Sequence, residues 1–298
     1  MERISIRSLT VRFGDLTALD RLNLEIEPGI FGLLGRNGAG KTTLMRVLTT
    51  IYKPTSGSVF MNGIEVCEKN KRIIKGKVGY LPQECGFYPN LTVAEFLQYI
   101  SMLQEMPQKA AKERIDFLLE EFHLAEKRSA KVGTLSGGMK RRLGLAQAMI
   151  HEPECLIVDE PTAGLDPDER VRIRNFLAEY GNRKTVLFST HIIEDVSAVA
   201  SQIGILQRGK LIYNGSVRQI LSEIDGKVYE ASLKDEASAA ALREGTVILS
   251  EIRKGDELQI RFYADRPVPV PDAVCVSATM EDAFLLLEHQ KPEGEGLS

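Results

Sequence analysis

The stretch IFGLLGRNGAGKTT, residues 30–43, constrains the fold of this chain more than any other part of it. Its first half is a short, wholly apolar run, which is typical of a strand buried on both faces of a sheet. Its glycines allow the backbone to turn sharply, and a helix-forming segment follows at once. A strand, a tight loop and a helix in this order indicate an α/β domain.

Three further apolar runs repeat this strand type, at VGYLP (78–82), CLIVDEP (155–161) and TVLFST (185–190). Helical patterns separate them. Thr92 and Glu95 predict a capping box, Pro107 is placed to open a helix, and Asp166 gives the start signal of another. Buried strands that alternate with helices predict a largely parallel core sheet.

The pattern changes near residue 222, where short alternating strands and two helical stretches follow one another. We predict a first domain over residues 1–221 and a small α+β domain over 222–298, whose topology the pattern leaves open. KGDE at 254–257 is typical of a hairpin turn, RPVPVP at 266–271 of a stiff connection, and KPEGEGLS of a polar tail.

Composition excludes several classes of protein. The net charge of −3 and the isoelectric point near 6.0 favour no nucleic-acid partner. No apolar run reaches the ~18 residues of a membrane span, and the N-terminus lacks the apolar block of a signal peptide. The four cysteines are scattered, which suits a reduced compartment, so we expect a cytoplasmic protein.

The segment GRNGAGKTT fits the phosphate-binding pattern G-x-x-x-x-G-K-[ST]. Its residues are Gly35, Arg36, Asn37, Gly38, Ala39, Gly40, Lys41, Thr42 and Thr43. Glycines aim backbone N–H groups at phosphate oxygens, and the following helix adds the positive end of its dipole. Lys41 is expected to reach the β- and γ-phosphates, and Thr42 to offer a hydroxyl to Mg²⁺. The alternative is a plain glycine-rich turn.

Polar side chains follow the other buried strands. Asp159 is placed to hold Mg²⁺ through water, and Glu160 to polarise an attacking water. His191 is expected to contact the γ-phosphate, and the amide oxygen of Gln83 to reach Mg²⁺ or water. Taken singly, each of these is also compatible with a solvated strand end or an ordinary loop residue.

LSGGM, residues 135–139, predicts a second anion site at the start of a helix that runs through Ala148. Ser136, Gly137 and Gly138 are its candidate residues. The motif is equally compatible with an ordinary helix cap. If it binds phosphate, it either folds across the first loop or serves another copy of the chain.

Together these motifs resemble the nucleotide-binding subunits of ABC transporters, over roughly residues 1–220. Gly35–Thr43 is similar to their Walker A loop, Gln83 to the Q-loop, Leu135–Met139 to the signature, Cys155–Glu160 to the Walker B strand with its catalytic glutamate, and His191 to the switch histidine. The resemblance adds Asp166 in the D-loop AGLD and Phe13 as the aromatic that stacks on adenine. It implies a P-loop NTPase fold with an antiparallel β subdomain and a helical subdomain at about 84–150.

The resemblance also implies ATP and Mg²⁺ as cofactors and two cassettes that close head to tail, each signature capping the partner's ATP. The second cassette is either an identical chain or a paralogue. Met139 stands where the signature of the family usually has glutamine. A signature of this form, together with the C-terminal TMEDAFLLLEH, looks like that of the ATPase subunits of ABC-2-type exporters. Those subunits pair with a separately encoded membrane permease, which would hold the chain on the inner face of the membrane through apolar residues near Phe87, Tyr88 and Leu91.

Two other functions stay open. A soluble ABC protein acting on ribosomes or nucleic acid usually has two cassettes or a coiled-coil arm, which this chain lacks. A small-molecule kinase would have no use for the signature and the D-loop. The C-terminal domain is expected to support the dimer, with regulation or the covering of a sheet edge as alternatives.

Overall fold

The computed structural model describes residues 3–234, 236–266 and 273–289. The chain divides into two compact units, which meet in sequence between Asn214 and Gly215. The RPVPVP connection beyond Arg266 and the polar tail lie outside the described residues.

The first unit is built on a six-stranded sheet in the order β10-β9-β3-β8-β7-β6. Its strands are β3 (Ile30–Leu34), β6 (Val78–Leu81), β7 (Cys155–Asp159), β8 (Thr185–Thr190), β9 (Gln202–Gln207) and β10 (Lys210–Gly215). Strands β9, β3, β8, β7 and β6 run parallel. The expected parallel core sheet is therefore confirmed. The carboxyl ends of β3, β6, β7 and β8 meet at one edge, where such sheets hold their ligands.

A second sheet of the first unit has the order β2-β1-β4-β5 and is antiparallel. It consists of β1 (Ile4–Phe13), β2 (Leu16–Ile26), β4 (Ser56–Met61) and β5 (Ile64–Glu65). Apolar side chains of both sheets and of helix α1 (Lys41–Leu48) form one buried core. Because α1 lies in this core, the loop before it cannot shift freely.

Six further α-helices belong to the described part of the first unit. They are α2 (Lys71–Lys77), α3 (Val93–Leu103), α4 (Gln108–Glu121), α5 (Gly137–Ala148), α6 (Pro167–Gly181) and α7 (Ile193–Val199). The capping box is confirmed, since Thr92 Oγ1 accepts from the N–H of Glu95 and Glu95 Oε2 from the N–H of Thr92. Pro107 and Asp166 occupy the predicted positions directly before α4 and α6.

The second unit is an α+β arrangement with its own small core. Its sheet has the order β12-β13-β11-β14, from β11 (Val228–Leu233), β12 (Val247–Lys254), β13 (Glu257–Tyr263) and β14 (Val274–Cys275). Its helices are α8 (Val217–Ile224), α9 (Glu236–Gly245) and α10 (Met280–His289). Lys254 pairs with Glu257 across the predicted hairpin turn, where Gly255 has a φ of +63°.

Candidate active site

The loop between β3 and α1 depends on glycine at two positions. Gly38 and Gly40 have φ values of +81° and +109°, in the left-handed region that disfavours side chains. A Cβ on Gly40 would also lie 2.7 Å from the carbonyl oxygen of Ala18. The loop therefore keeps its shape because β2 packs directly against it.

Lys41, the first residue of α1, folds back under this loop. Its Nζ donates to the carbonyl oxygens of Gly35 at 2.6 Å and Arg36 at 3.2 Å, and it lies 3.7 Å from Glu160 Oε1. The side chain is only 4% exposed. Burial lowers the pKa of Lys41, and the carboxylates of Glu160 and Asp159 oppose that shift. A buried cation so close to a glycine loop is well placed to meet an anion.

Glu160, directly after β7, is the centre of the site. Its Oε1 lies 3.2 Å from His191 Nδ1, and its Oε2 accepts from the Gln83 amide at 3.3 Å. Its backbone N–H donates to Ser189 Oγ and Ser189 O. These contacts bring together the side chains that follow β6, β7 and β8.

The backbone of Glu160 has a φ of +49°. This left-handed conformation costs a residue with a side chain roughly 1–2 kcal/mol. Such strain persists only where surrounding contacts enforce it, which is common at functional sites.

A cavity of about 660 Å³ opens at this edge of the sheet. The predicted loop residues from Asn37 to Thr43 line it, together with Phe13, Gln83 and Glu160. Phe13 is 45% exposed, and its ring packs edge-on against Tyr52 at 5.2 Å. The volume is in the range of small-molecule and cofactor sites.

The signature residues and Asp166 lie elsewhere. Ser136 Oγ caps α5 by accepting from the N–H of Met139 at 3.3 Å, and Asp166 caps α6 by accepting from the N–H of Glu169 at 2.9 Å. Ser136, Gly137 and Asp166 are exposed, and the described residues that line the cavity include none of them. One chain therefore does not bring its two glycine motifs together.

Comparison with known proteins identifies the family. The family model "ABC transporter" matches residues 19–163. Nod factor export ATP-binding protein I of Burkholderia lata is 35% identical, over 95% of this chain and 96% of that protein. The chain belongs to the family of ABC transporter ATP-binding proteins. Bacitracin transport ATP-binding protein BcrA of Enterococcus faecalis is also 35% identical, over 87% of this chain and 83% of that one.

The family membership makes this ABC protein an ATPase that binds ATP and powers transport. A solved ATP-binding subunit of an ABC transporter has a TM-score of 0.67 and 25% identity, covering 74% of this chain and 92% of its own. The expected ABC-type P-loop fold is therefore confirmed. No helix within the described residues is both long and apolar enough to span a lipid bilayer.

The residues present fit Mg²⁺, the cation that the family implies. Asp159 is fully buried, its Oδ1 accepts from Ser189 Oγ, and its Oδ2 finds no partner among the described residues. A buried carboxylate oxygen without a donor is costly unless a cation or water satisfies it. Thr42 and Gln83 would add a hydroxyl and an amide oxygen. Mg²⁺ prefers such oxygen ligands and completes its shell with phosphate and water.

Several residues of this ABC ATPase site were not predicted from sequence. Ala18, Arg208 and Gly209 line the cavity, and the N–H of Gly209 donates to the carbonyl of Ala39. Ser189 joins Asp159 to the backbone of Glu160. These residues carry no motif. Only the parallel pairing of β7 with β8, which sets Asp159 opposite Ser189, could have indicated the serine.

Proposed function

We propose that this ABC ATPase powers a separately encoded membrane permease of the ABC-2 exporter type, and that ATP is hydrolysed between two cassettes. One observation carries the two-cassette part of this proposal. The Walker A loop lines a cavity, while Ser136 and Gly137 lie exposed at the start of α5 and outside that cavity. A helix start with a serine cap and two glycines in its first turn can bind an anion. Because this one lies outside the cavity of its own chain, its ligand would come from another chain.

A head-to-tail pair of cassettes gives both motifs a ligand. The Walker A loop of one chain holds the triphosphate, and Ser136 with the N–H groups of Gly137 and Gly138 closes on its γ-phosphate from the partner. We expect Asp166, which is exposed at the start of α6, to face the same interface. The partner is a second copy or a paralogue.

Within each chain, the first role of the site is to bind ATP. Phe13 offers its exposed ring face to adenine. The loop from Gly35 to Thr43 surrounds the phosphates with backbone N–H groups and the positive end of α1. Lys41 exchanges the carbonyls of Gly35 and Arg36 for β- and γ-phosphate oxygens. Its low exposure strengthens that attraction, because little water screens it.

The second role is to activate water. Glu160 holds the attacking water and accepts a proton from it. Gln83 and His191, which already contact the two carboxylate oxygens of Glu160, fix the orientation of that carboxylate. Once Lys41 moves to the phosphates, it no longer contacts the Glu160 carboxylate. His191 then contacts the γ-phosphate. Mg²⁺, when bound at Asp159, Thr42 and Gln83, would neutralise charge on the phosphates.

The permease is proposed to dock on the outer face of α3. Tyr99, Met102 and Leu103 stand at i, i+3 and i+4 on one side of this helix, and Met102 and Leu103 are 67% and 63% exposed. The exposed ring of Tyr88 packs against Tyr99 at 5.4 Å and extends the patch beyond α3. Phe87 is only partly exposed, because it packs on buried Phe96. A contiguous apolar patch of this kind suits an apolar helix of a membrane protein.

The names of the relatives support export. Proteins that share about a third of their residues with this chain are named for Nod factor export and bacitracin transport. The transported substrate itself is set by the permease. Attachment to that permease would keep this chain in the cytoplasm, on the inner face of the cell membrane.

The test is co-purification. The tagged chain is expressed in its native cells and captured from detergent-solubilised membranes, and a captured protein with about six hydrophobic spans is identified by mass spectrometry. Leu103→Glu is expected to reduce the captured permease at least tenfold, because it places a charge in the apolar contact. Phe117→Glu, on α4 and 52% exposed, is the matched control and should capture as much as wild type. Capture of ribosomal proteins or nucleic acid instead of a permease would contradict the proposal.

A further inference from the structure

Arg141 lies in the middle of α5, and the role proposed for the signature does not account for it. Its side chain is buried, with 8% exposure, and it enters the sheet edge between β6 and β7. Burial lowers the pKa of its guanidinium, against the pull of nearby Cys85, Asp159 and Glu160. Within the described part of the chain it forms no ion pair. A buried cation without a carboxylate partner needs another source of compensation.

Among the described residues, the hydrogen bonds of Arg141 all go to backbone carbonyls. The guanidinium has five N–H groups, and each can be matched to one carbonyl oxygen. Nε donates to Pro161 O, one terminal nitrogen donates to Pro82 O and Gln83 O, and the other donates to Asp159 O and Glu160 O. One side chain thus binds the backbone that follows β6 and the backbone that follows β7.

These carbonyls belong to the residues that do the chemistry. Gln83 and Glu160 touch each other through their side chains, and Arg141 binds both of them through the main chain. The strained backbone of Glu160 is held on its N–H side by Ser189 and on its carbonyl side by Arg141. Arg141 therefore restrains both the conformation of Glu160 and its distance from Gln83.

The same arginine connects this site with the signature. Ser136 caps the start of α5, and Arg141 follows it by about 7.5 Å along the same rigid helix. In the proposed dimer, Ser136 contacts the partner's ATP while Arg141 holds the glutamate that acts on this chain's own ATP. A displacement of α5 would therefore move both Ser136 and the backbone of Glu160 that Arg141 binds.

We infer that Arg141 is a positioning residue for ATP hydrolysis, which fixes Gln83 and Glu160 to the helix that carries the signature serine. This inference rests on the proposed role of Glu160. A misplacement of about 1 Å at a reacting group can lower a rate on the order of 100-fold. Loss of Arg141 should therefore affect turnover far more than ATP binding, because no described hydrogen bond joins Lys41 or the glycine loop to the carbonyls that Arg141 binds.

Arg142 provides a matched control on the same helix. It is equally buried, at 8%, but it donates to the carbonyls of Phe122 and His123 and pairs with Glu169 at 3.2 Å. None of these partners lines the cavity. If buried arginines of α5 serve stability alone, the two positions should behave alike.

The experiment compares Arg141→Lys with Arg142→Lys in the full chain. Affinity for mant-ATP, kcat and KM for ATP, and the melting temperature are measured for each. Lysine keeps the charge but has three donors and no fork, so it cannot bind both strand ends. Arg141→Lys is expected to lower kcat by about 10- to 100-fold with mant-ATP affinity within about threefold of wild type. Arg142→Lys should keep kcat within about threefold, whatever its melting temperature.

A kcat for Arg141→Lys within threefold of wild type, or equal losses of kcat at the two positions, would overturn the inference. If the lysine variant does not fold, Arg141→Gln and Arg142→Gln replace the pair, since a neutral amide leaves no buried charge uncompensated. If both Arg141 variants fail to fold while the Arg142 variants fold, Arg141 serves stability and the inference is wrong. Normal turnover by Glu160→Gln would instead reject the proposed role of Glu160, which no Arg141 result can imitate.

Discussion

At the scale of single residues, the site is organised around Glu160, which contacts other residues through both its side chain and its backbone. Glu160 meets Lys41, Gln83 and His191 through its side chain, and Ser189 and Arg141 through its backbone. Each of the three side-chain neighbours can also contact ATP or Mg²⁺ in the proposed complex. Binding of ATP would therefore rearrange the residues around Glu160, and this would couple ATP binding to the activation of water.

Glu160→Gln should separate ATP binding from hydrolysis. The amide is nearly isosteric and keeps the contacts with Gln83 and His191, but it cannot accept a proton from water. We expect mant-ATP affinity within about threefold of wild type and a kcat reduced at least ~100-fold, the usual worth of a general base. Turnover within threefold of wild type would remove Glu160 from the mechanism and make His191 the leading candidate.

The sequence predicted the residues of this site that belong to motifs. It did not predict the residues that hold those motif residues in position. Lys41, Glu160, Gln83 and His191 each follow a buried strand or stand in a glycine loop, so strand periodicity alone places them at one edge. Arg141 stands in the run KRR, which is typical of a solvated helix face. Its burial arises from long-range packing of α5 against β6, which no local pattern encodes.

At the scale of elements, a side-chain cap marks the start of α3, α5, α6 and α8. The capping box of Thr92 and Glu95 starts α3, whose inner face buries Phe96 and Leu97 and whose outer face presents the proposed docking patch. The cap therefore stabilises the helix on which permease contact is proposed to depend. Such caps are local, which explains why the starts of α3 and α6 could be predicted from sequence.

Thr92→Ala should weaken α3 without touching the ATP site. Loss of the cap costs about 1 kcal/mol in free energy of unfolding, and thermal melting should shift down by roughly 2–4 °C. Affinity for mant-ATP should stay unchanged. Thr92→Ser, which keeps the hydroxyl, is the control. Equal destabilisation by serine and alanine would show that the methyl group of Thr92, rather than its cap, matters.

The second unit shows which features of a fold a sequence pattern does not predict. The sequence predicted short strands and two helical stretches, but the unit also contains α8, and its strand β14 spans only Val274–Cys275. β11 pairs with β13 and β14 and not with β12, the strand that follows it in sequence. Alternation of apolar residues shows which face of a strand is buried. It does not show which strand lies beside it, because that depends on contacts distant in sequence.

At the scale of the whole molecule, each unit has its own hydrophobic core, and the ATP cavity belongs to the first unit. Every residue described as lining the ATP cavity lies in the first unit, before Asn214. The second unit packs its own sheet around Leu242, Ile260 and Phe262. ATP binding should therefore be a property of the first unit alone.

A chain ending at Asn214 tests this division. It is expected to fold and to bind mant-ATP with an affinity within about threefold of the full chain, because the cavity and the core under α1 are complete. The Lys41→Ala variant of the shortened chain is the control for specific binding. A folded fragment with tenfold weaker affinity would show that the second unit contributes to the ATP site.

The proposed two-cassette site predicts complementation between two inactive variants. Lys41→Ala removes the cation that meets the β- and γ-phosphates, and Ser136→Ala removes the hydroxyl offered to the partner's ATP. Neither variant alone can form a complete site. In a mixed dimer, however, one site combines intact Lys41 from one chain with intact Ser136 from the other, while the second site loses both.

Mixing the two purified variants in equal amounts should therefore restore ATP hydrolysis. Random pairing makes half of the dimers mixed, each with one complete site of two, so the expected activity is about a quarter of wild type if the sites act independently. The double variant Lys41→Ala, Ser136→Ala mixed with either single variant is the control and should stay inactive, because no complete site can form. Wild-type activity per chain should also fall on dilution, as dimers separate. Activity that stays constant down to concentrations at which sizing shows only monomers would mean that each chain completes its own site, and the two-cassette arrangement would be wrong.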